Sequence, residues 1–111
     1  MLSSPQTIVE YIDAQGNAPF RAWLERLKDR KAQAVIDARL THVRMGNLGH
    51  CRSVGHGVKE LKIDFGPGYR VYSGQDGDKV VVLLFGGDKK SQPSDIKRAQ
   101  EYWDDYTGAG A

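Results

Sequence analysis

The sequence has a single cysteine and no long apolar run, and each of these absences excludes a class of protein. Cys51 cannot form an intrachain disulfide, and no spacing of cysteine and histidine resembles a zinc site. No apolar stretch approaches the roughly 20 residues that a membrane-spanning helix needs. The segment from Met1 to Gln6 lacks the basic and apolar regions of a secretion signal. We therefore expect a cytoplasmic protein without a membrane segment, a cofactor or a bound metal.

The chain is also short and has little net charge. Its 111 residues suffice for one hydrophobic core, so we expect one domain over residues 1–106 and a disordered tail at 107–111. The formal net charge of +2 does not by itself indicate a polyanionic partner. Eight basic residues nevertheless lie between Arg21 and Arg52, against three acidic ones. A second basic group comprises Lys89, Lys90, Lys97 and Arg98. Such clusters suit a polyanion-binding surface, and they suit an ordinary solvated helix face equally.

Apolar spacing in the first half of the chain predicts a strand followed by two helices. The β-branched residues between Gln6 and Ile12 favour a short strand. A first helix is expected to begin at Pro19, because proline is tolerated in the first helical turn. A second helix follows, and Gly46 with Asn47 supplies its end. We expect the two helices to form a hairpin whose apolar stripes pack on a sheet.

The second half of the chain is predicted to contain three strands and a final helix. Residues 58–73 indicate a hairpin with its turn at 64–68, and Lys79–Phe85 indicates a buried central strand. Ser94 is expected to cap the last helix. The predicted order is β-α-α-β-β-β-α. This is an α+β fold with a small, mostly antiparallel sheet, the helical hairpin on one face, and a C-terminal helix.

The predicted hairpin places charged residues opposite one another. With the turn at 64–68, Lys62 lies opposite Arg70 and Glu60 lies opposite Tyr72, all on one face. The other face carries four residues suited to the core: Leu61, Ile63, Tyr69 and Val71. The side chains on the charged face are therefore expected to point into solvent, namely Glu60, Lys62, Arg70 and Tyr72. Two like charges across a strand pair repel, and an anion such as a phosphate between them would relieve the repulsion. The alternative is an ordinary solvent face on which Glu60 neutralises both cations.

Several segments of the chain resemble one family. Glu60–Tyr72 resembles the signature of RelE/ParE toxins, most of all their phage-derived, HigB-like killer-protein branch. Leu83–Gln92 and the following helical segment Asp95–Trp103 are similar to the same branch, in the same order. Pro19–Leu24 and Val54–Val58 resemble it as well. The resemblance therefore covers nearly the whole chain and implies a RelE-like fold.

The resemblance implies the toxin of a type II toxin–antitoxin system, a metal-independent endoribonuclease that cleaves messenger RNA, free or on the ribosome, and arrests growth. In nuclease members, basic residues stabilise the scissile phosphate while the ribose 2'-hydroxyl attacks it. The implied catalytic residues are Lys62, Arg70, Lys89 and Glu60, the last as a proton acceptor. The implied RNA contacts are Tyr72, Lys90, Ser91 and Gln92. The general acid is not identified by this pattern, and Tyr102 and Tyr106 are candidates.

The resemblance also implies a partner, a small helix-turn-helix antitoxin encoded by an adjacent gene. Its candidate docking surfaces are the cations around Lys62, Arg70, Lys89 and Lys90, and the helices carrying Arg21 to Arg44. Two other functions stay open at this point. A ParE-like inhibitor of DNA gyrase would share the fold without the nuclease activity, and an inactive nucleic-acid-binding module would keep the basic surface.

Overall fold

A five-stranded mixed sheet organises the computed structural model, which describes residues 4–108. The strands are β1 (Thr7–Glu10), β2 (Cys51–Ser53), β3 (Val58–Ile63), β4 (Tyr69–Asp76) and β5 (Val80–Gly87). The helices are α1 (Pro19–Arg26), α2 (Arg30–Arg44) and α3 (Gln92–Thr107). The strand order is β1-β5-β4-β3-β2, in which β1 runs parallel to β5 and all other pairs are antiparallel. The fold is therefore α+β, as predicted.

The two N-terminal helices begin where the sequence provides a start signal. Helix α1 begins at Pro19. Proline lacks a backbone N–H, but the N–H groups of the first helical turn have no acceptor within the helix, so no hydrogen bond is lost. Asp29 caps α2, because its side chain accepts hydrogen bonds from the backbone N–H groups of Lys31 and Ala32. The Gln33 side chain donates to two carbonyls at the end of α1. This joins the two helices into the predicted hairpin. None of the helices between residues 4 and 108 is long and apolar enough to span a bilayer.

Helices cover both faces of the sheet, and on each face a tryptophan of the helix packs directly against a glycine of a strand. Trp23 of α1 lies over Gly86, and Trp103 of α3 lies over Gly74. Gly87, the next residue along β5, faces Asp95 of α3. Because successive strand residues point to opposite faces, α1 and α3 pack on opposite sides of the sheet. The sheet is thus the middle layer of the molecule.

The structure corrects several boundaries of the predicted elements. Strand β2 was not predicted, so the order is β-α-α-β-β-β-β-α; three residues are too few to show a period-2 pattern. Strand β1 is shorter than Gln6 to Ile12. The cap position of α3 is Ser91, and Ser94 lies in the first helical turn, where its hydroxyl donates to the Ser91 carbonyl.

The end of the predicted domain also moves. Helix α3 runs through Thr107 and ends at Gly108, which has a left-handed φ of 79°. Thr107 is therefore helical and does not belong to a tail. The rest of the predicted tail, residues 109–111, lies outside the described residues, as do residues 1–3 of the segment considered for a secretion signal.

Candidate active site

Two rows of side chains cross strands β2, β3 and β4 on the face that α3 covers. The predicted hairpin register is confirmed, with Lys62 opposite Arg70 and Glu60 opposite Tyr72. Strand β2 extends both rows. Arg52 pairs with Glu60, and the Lys62 N–H donates to the His50 carbonyl at 3.1 Å, which places His50 opposite Lys62. The first charged row is therefore His50, Lys62 and Arg70, and the second charged row is Arg52, Glu60 and Tyr72.

The prediction that this face points into solvent is wrong for three residues. Glu60, Arg70 and Tyr72 are only 3%, 7% and 0% exposed, whereas Lys62 is half-buried. Helix α3 covers them, because its buried stripe packs on β3, β4 and β5. The alternation of apolar residues shows which face carries one core, but it does not show that a second layer covers the other. A fully buried Tyr72 cannot stack on RNA, so its assignment as an RNA contact is also wrong.

The carboxylate of Glu60 is held from two sides. Its Oε1 accepts a hydrogen bond from Arg52 Nε at 2.9 Å, and its Oε2 accepts one from Gln92 Nε2 at 2.8 Å. Burial alone would raise the pKa of Glu60, but these two hydrogen bonds and the charges of Arg52 and Arg70 outweigh burial and lower it. The group is therefore ionised at neutral pH, and both of its oxygens are oriented by hydrogen bonds.

Arg70 is buried with part of its donor capacity unused. Its Nη1 donates to the Gly68 carbonyl at 2.5 Å. Its Nε lies 3.8 Å from Glu60 Oε1, an ion-pair distance that is too long for a hydrogen bond. Within the described residues this Nε has no hydrogen-bond partner. A buried unsatisfied donor costs about 1–3 kcal/mol in stability, and Arg70 lines the pocket even though this Nε is itself inaccessible.

Gly68 positions the side chain of Arg70, which follows it by two residues in the Gly68-Tyr69-Arg70 sequence. Gly68 has a left-handed φ of 78°, and a Cβ there would lie 3.2 Å from Arg70 Nη1. The glycine therefore completes the turn and at the same time leaves room for the guanidinium against its own carbonyl. This local constraint fixes the direction of Arg70.

These residues line one pocket of about 290 Å³. Its lining comprises His50, Cys51, Arg52, Glu60, Lys62, Arg70 and Gln92. Three cations and one carboxylate in this space favour an anionic ligand, and the volume lies at the lower end of small-molecule sites. Among residues 4–108 no group of three or more side chains is arranged to hold a metal ion.

Other predicted site residues lie at the rim or elsewhere. Lys89 and Lys90 are exposed in the loop after β5, and Lys89 lies beside Gly68. The Ser91 hydroxyl donates to the Asp95 carboxylate, so it belongs to the start of α3. Gln92 lines the pocket, and its side-chain amide donates a hydrogen bond to Glu60. The four predicted catalytic residues are thus close together, with Lys89 at the rim.

The two tyrosines considered as general acids do not line the pocket. Tyr102 stacks on Tyr11 and contacts Phe85 edge-on. The Tyr106 hydroxyl donates to Asp76 at 2.8 Å. Neither contact places a phenol beside Glu60, so these residues are not supported as acids of this site.

Sequence reasoning missed Arg52 and His50, which strand β2 brings into the pocket. The available signal was the turn that precedes β3. Gly55 and Gly57 adopt positive φ values of 91° and 85°, as expected for a tight hairpin connection. A hairpin centred there pairs residue 52 with residue 60, so the two glycines could have indicated both missed residues.

Replacing Tyr72 by phenylalanine tests its corrected role. The hydroxyl is buried and faces Glu60 without a hydrogen bond of ordinary geometry. We expect Tyr72→Phe to leave the free energy of unfolding unchanged or to raise it by up to about 1 kcal/mol in urea titrations. Tyr11→Phe is the matched control, because it removes a hydrogen bond to Asp105 and should lower stability by about 1 kcal/mol. A clear loss of stability in Tyr72→Phe would contradict this role.

The fold and the pocket together define a small α+β protein with a cation-rich, carboxylate-containing site on one sheet face. The chain is 47% identical over 81 residues to an uncharacterized protein of Haemophilus influenzae, and the match covers 73% of this chain and 82% of that protein. The chain therefore belongs to the same family as this Haemophilus influenzae protein. No protein-family model and no solved structure matches the chain.

Proposed function

We propose that this chain is a RelE-like toxin of the HigB-like branch, an endoribonuclease that cleaves messenger RNA through attack of a ribose 2'-hydroxyl on the adjacent phosphate. The observation that carries the proposal is the pairing of Glu60 with Arg70 in one pocket. The reaction requires a base for the 2'-hydroxyl proton and donors for the charge that develops on the phosphate. Glu60 is an ionised, oriented acceptor, and the Arg70 cation lines the same pocket beside it.

The cations of the site differ in burial: Arg70 is buried, Lys62 is half-buried, and Lys89 and Lys90 are exposed. Arg70 is nearly inaccessible to bulk water, so its interaction with a developing negative charge is weakly screened. Lys62 is half-buried and reaches the pocket from the neighbouring strand, where it can bind the same phosphate. Lys89 is exposed beside Gly68, and Lys90 is exposed in the same loop, so both suit the flanking phosphates of a longer strand. This arrangement favours a polynucleotide over an isolated phosphate.

The proposal includes a cytoplasmic location and an antitoxin. The partner would be a small helix-turn-helix protein encoded by an adjacent gene, as the family resemblance implies. The exposed cations Lys89 and Lys90 and the basic residues between Arg21 and Arg44 offer surfaces for an acidic or amphipathic segment. Such a segment at the rim of the pocket would exclude RNA from Glu60 and Arg70.

Primer extension on messenger RNA after brief induction of the chain tests the proposed function. We expect discrete new 5' ends within minutes. A ParE-like gyrase inhibitor would instead alter plasmid supercoiling without new RNA ends, and an inactive binding module would produce neither result. Lys62→Ala should reduce the number of these new 5' ends. Lys59→Ala is its matched control and should not, because Lys59 lies on the same strand but outside the pocket lining.

In a purified system, we expect cleavage to persist in EDTA and to stop when the nucleotide on the 5' side of the cut carries 2'-deoxyribose. The ribose supplies the nucleophile, so removal of its hydroxyl removes the reaction. With ribosome integrity controlled, an absolute magnesium requirement of the chemical step would contradict the proposal. Cleavage of the deoxy substrate at the same position would contradict it as well.

A further inference from the structure

The proposed reaction needs a proton donor as well as a base. When the 2'-oxygen bonds to phosphorus, the bond between phosphorus and the 5'-oxygen breaks, and that oxygen must take up a proton. Glu60 accepts the proton of the 2'-hydroxyl, so it does not supply this second proton. Arginine keeps its proton in proteins, which excludes Arg52 and Arg70 as donors. Of the other protonatable residues that line the pocket, Lys62 is taken as a ligand of the phosphate, and Cys51 alternates to the opposite face of β2, which leaves His50.

His50 is held at the pocket by its backbone. The His50 backbone carbonyl is fixed by two donors, the Lys62 N–H at 3.1 Å and Arg39 Nη2 at 2.9 Å. His50 lines the pocket and is exposed to solvent. Arg39 comes from α2, so the hairpin helices hold the end of β2 in place. The carbonyl is fixed, and the imidazole has access to a ligand.

The geometry of the charged rows separates His50 from the base by one diagonal step. Glu60 lies directly opposite Arg52, and His50 lies two residues before Arg52 on the same face. Diagonal neighbours on paired strands have a separation of about 7–8 Å. A phosphodiester between them would have one group near its 2'-oxygen and the other near its 5'-oxygen. Lys62, opposite His50, would lie beneath the same phosphate.

We propose that His50 is the general acid of the cleavage reaction, an assignment that rests on the proposed function. The imidazolium donates its proton to the 5'-oxygen as the bond from that oxygen to phosphorus breaks. Glu60 takes the proton from the 2'-oxygen as its bond to phosphorus forms. The products are a 2',3'-cyclic phosphate and a 5'-hydroxyl, and no other reactant is consumed. Imidazole suits this role because histidine is the side chain most often used as a general acid or base in catalysis.

A substrate with a 5'-bridging sulfur at the mapped cleavage position tests the assignment, because a thiolate leaves without being protonated. We expect His50→Gln to cleave ordinary RNA about 100-fold more slowly than the wild type and to cleave the sulfur-containing RNA at close to the wild-type rate. Glu60→Gln should be slow on both substrates, because its defect concerns the nucleophile. His42→Gln is the matched control, since His42 is exposed on α2 and lies outside the pocket lining.

The possible failures are distinguishable. If the wild type cleaves ordinary RNA and His50→Gln does so equally fast, the acid assignment is overturned and the proposed function stands. Equal slowing of His50→Gln on both substrates would also overturn the assignment, because it would indicate a binding or structural role. If the wild type cleaves neither substrate, in free form or on the ribosome, the proposed function and this inference fail together.

Discussion

Under the proposed function, Arg70→Ala is expected to slow RNA cleavage by about 10²- to 10³-fold and to relieve growth arrest, because it removes the buried cation that would stabilise the developing phosphate charge. The guanidinium is nearly buried, and its Nε has no hydrogen-bond partner within the described residues. A donor in this environment interacts with an anion far more strongly than one in water. Glu60 keeps its hydrogen bonds from Arg52 and Gln92 in the variant, so the base stays in place.

The same burial means that Arg70→Ala will also reduce stability. The alanine leaves the Gly68 carbonyl without its side-chain donor, and we expect a loss of about 1–3 kcal/mol. Cleavage should therefore be measured well below the unfolding transition, with the folded fraction determined by circular dichroism. Arg70→Lys keeps the charge but loses the planar donors, and Arg26→Ala removes an exposed arginine far from the pocket lining. A folded, equally expressed Arg70→Ala chain with undiminished toxicity would refute the assignment.

Gly74→Ala is expected to lower the free energy of unfolding by about 1–3 kcal/mol. A Cβ at this position would overlap the ring of Trp103, which is itself buried. Gly74 lies within the central strand β4, between Val58 of β3 and Val82 of β5. The backbone has little room to move there, so the tryptophan and its helix must shift.

Urea unfolding of a double-mutant cycle tests the cause of this effect. In a Trp103→Leu background the added methyl group has space, so Gly74→Ala should cost less than in the wild type. Gly77→Asn is the control outside the core, because Gly77 has open space around it and a φ of 70° that asparagine tolerates. Identical penalties for Gly74→Ala in both backgrounds would show that Trp103 is not the obstacle.

Local patterns were sufficient to predict the central hairpin. Leu61 and Val71 alternate with charged residues on both arms, and the turn at 64–68 allows one register, which the structure confirms. The burial of Glu60 and Tyr72 could not be read in the same way. Alternation shows one apolar face per strand, whereas the other face is covered by α3, whose first residue Gln92 lies 32 residues beyond Glu60.

The pocket shows the same division between local and tertiary information. Glu60, Lys62 and Arg70 belong to one hairpin, so their proximity followed from its register. Arg52 and His50 join them through a strand of only three residues. Its pairing depends on the glycine turn before β3 and on the anchoring of the His50 carbonyl by Arg39, a contact from a distant helix. The spacing of residues within one segment of the sequence cannot predict that contact.

The parallel pairing of β1 has a consequence for the order in which the chain assembles. Strands β2, β3 and β4 each pair with the next strand along the chain, whereas β1 pairs with β5 and sets Thr7 opposite Val80. Closing so long a loop costs more entropy than closing a hairpin, so we expect β1 to dock after the antiparallel strands. Both charged rows lie on β2, β3 and β4. The frame of the pocket therefore belongs to the rapidly formed part of the chain, and the N-terminal strand completes the opposite edge.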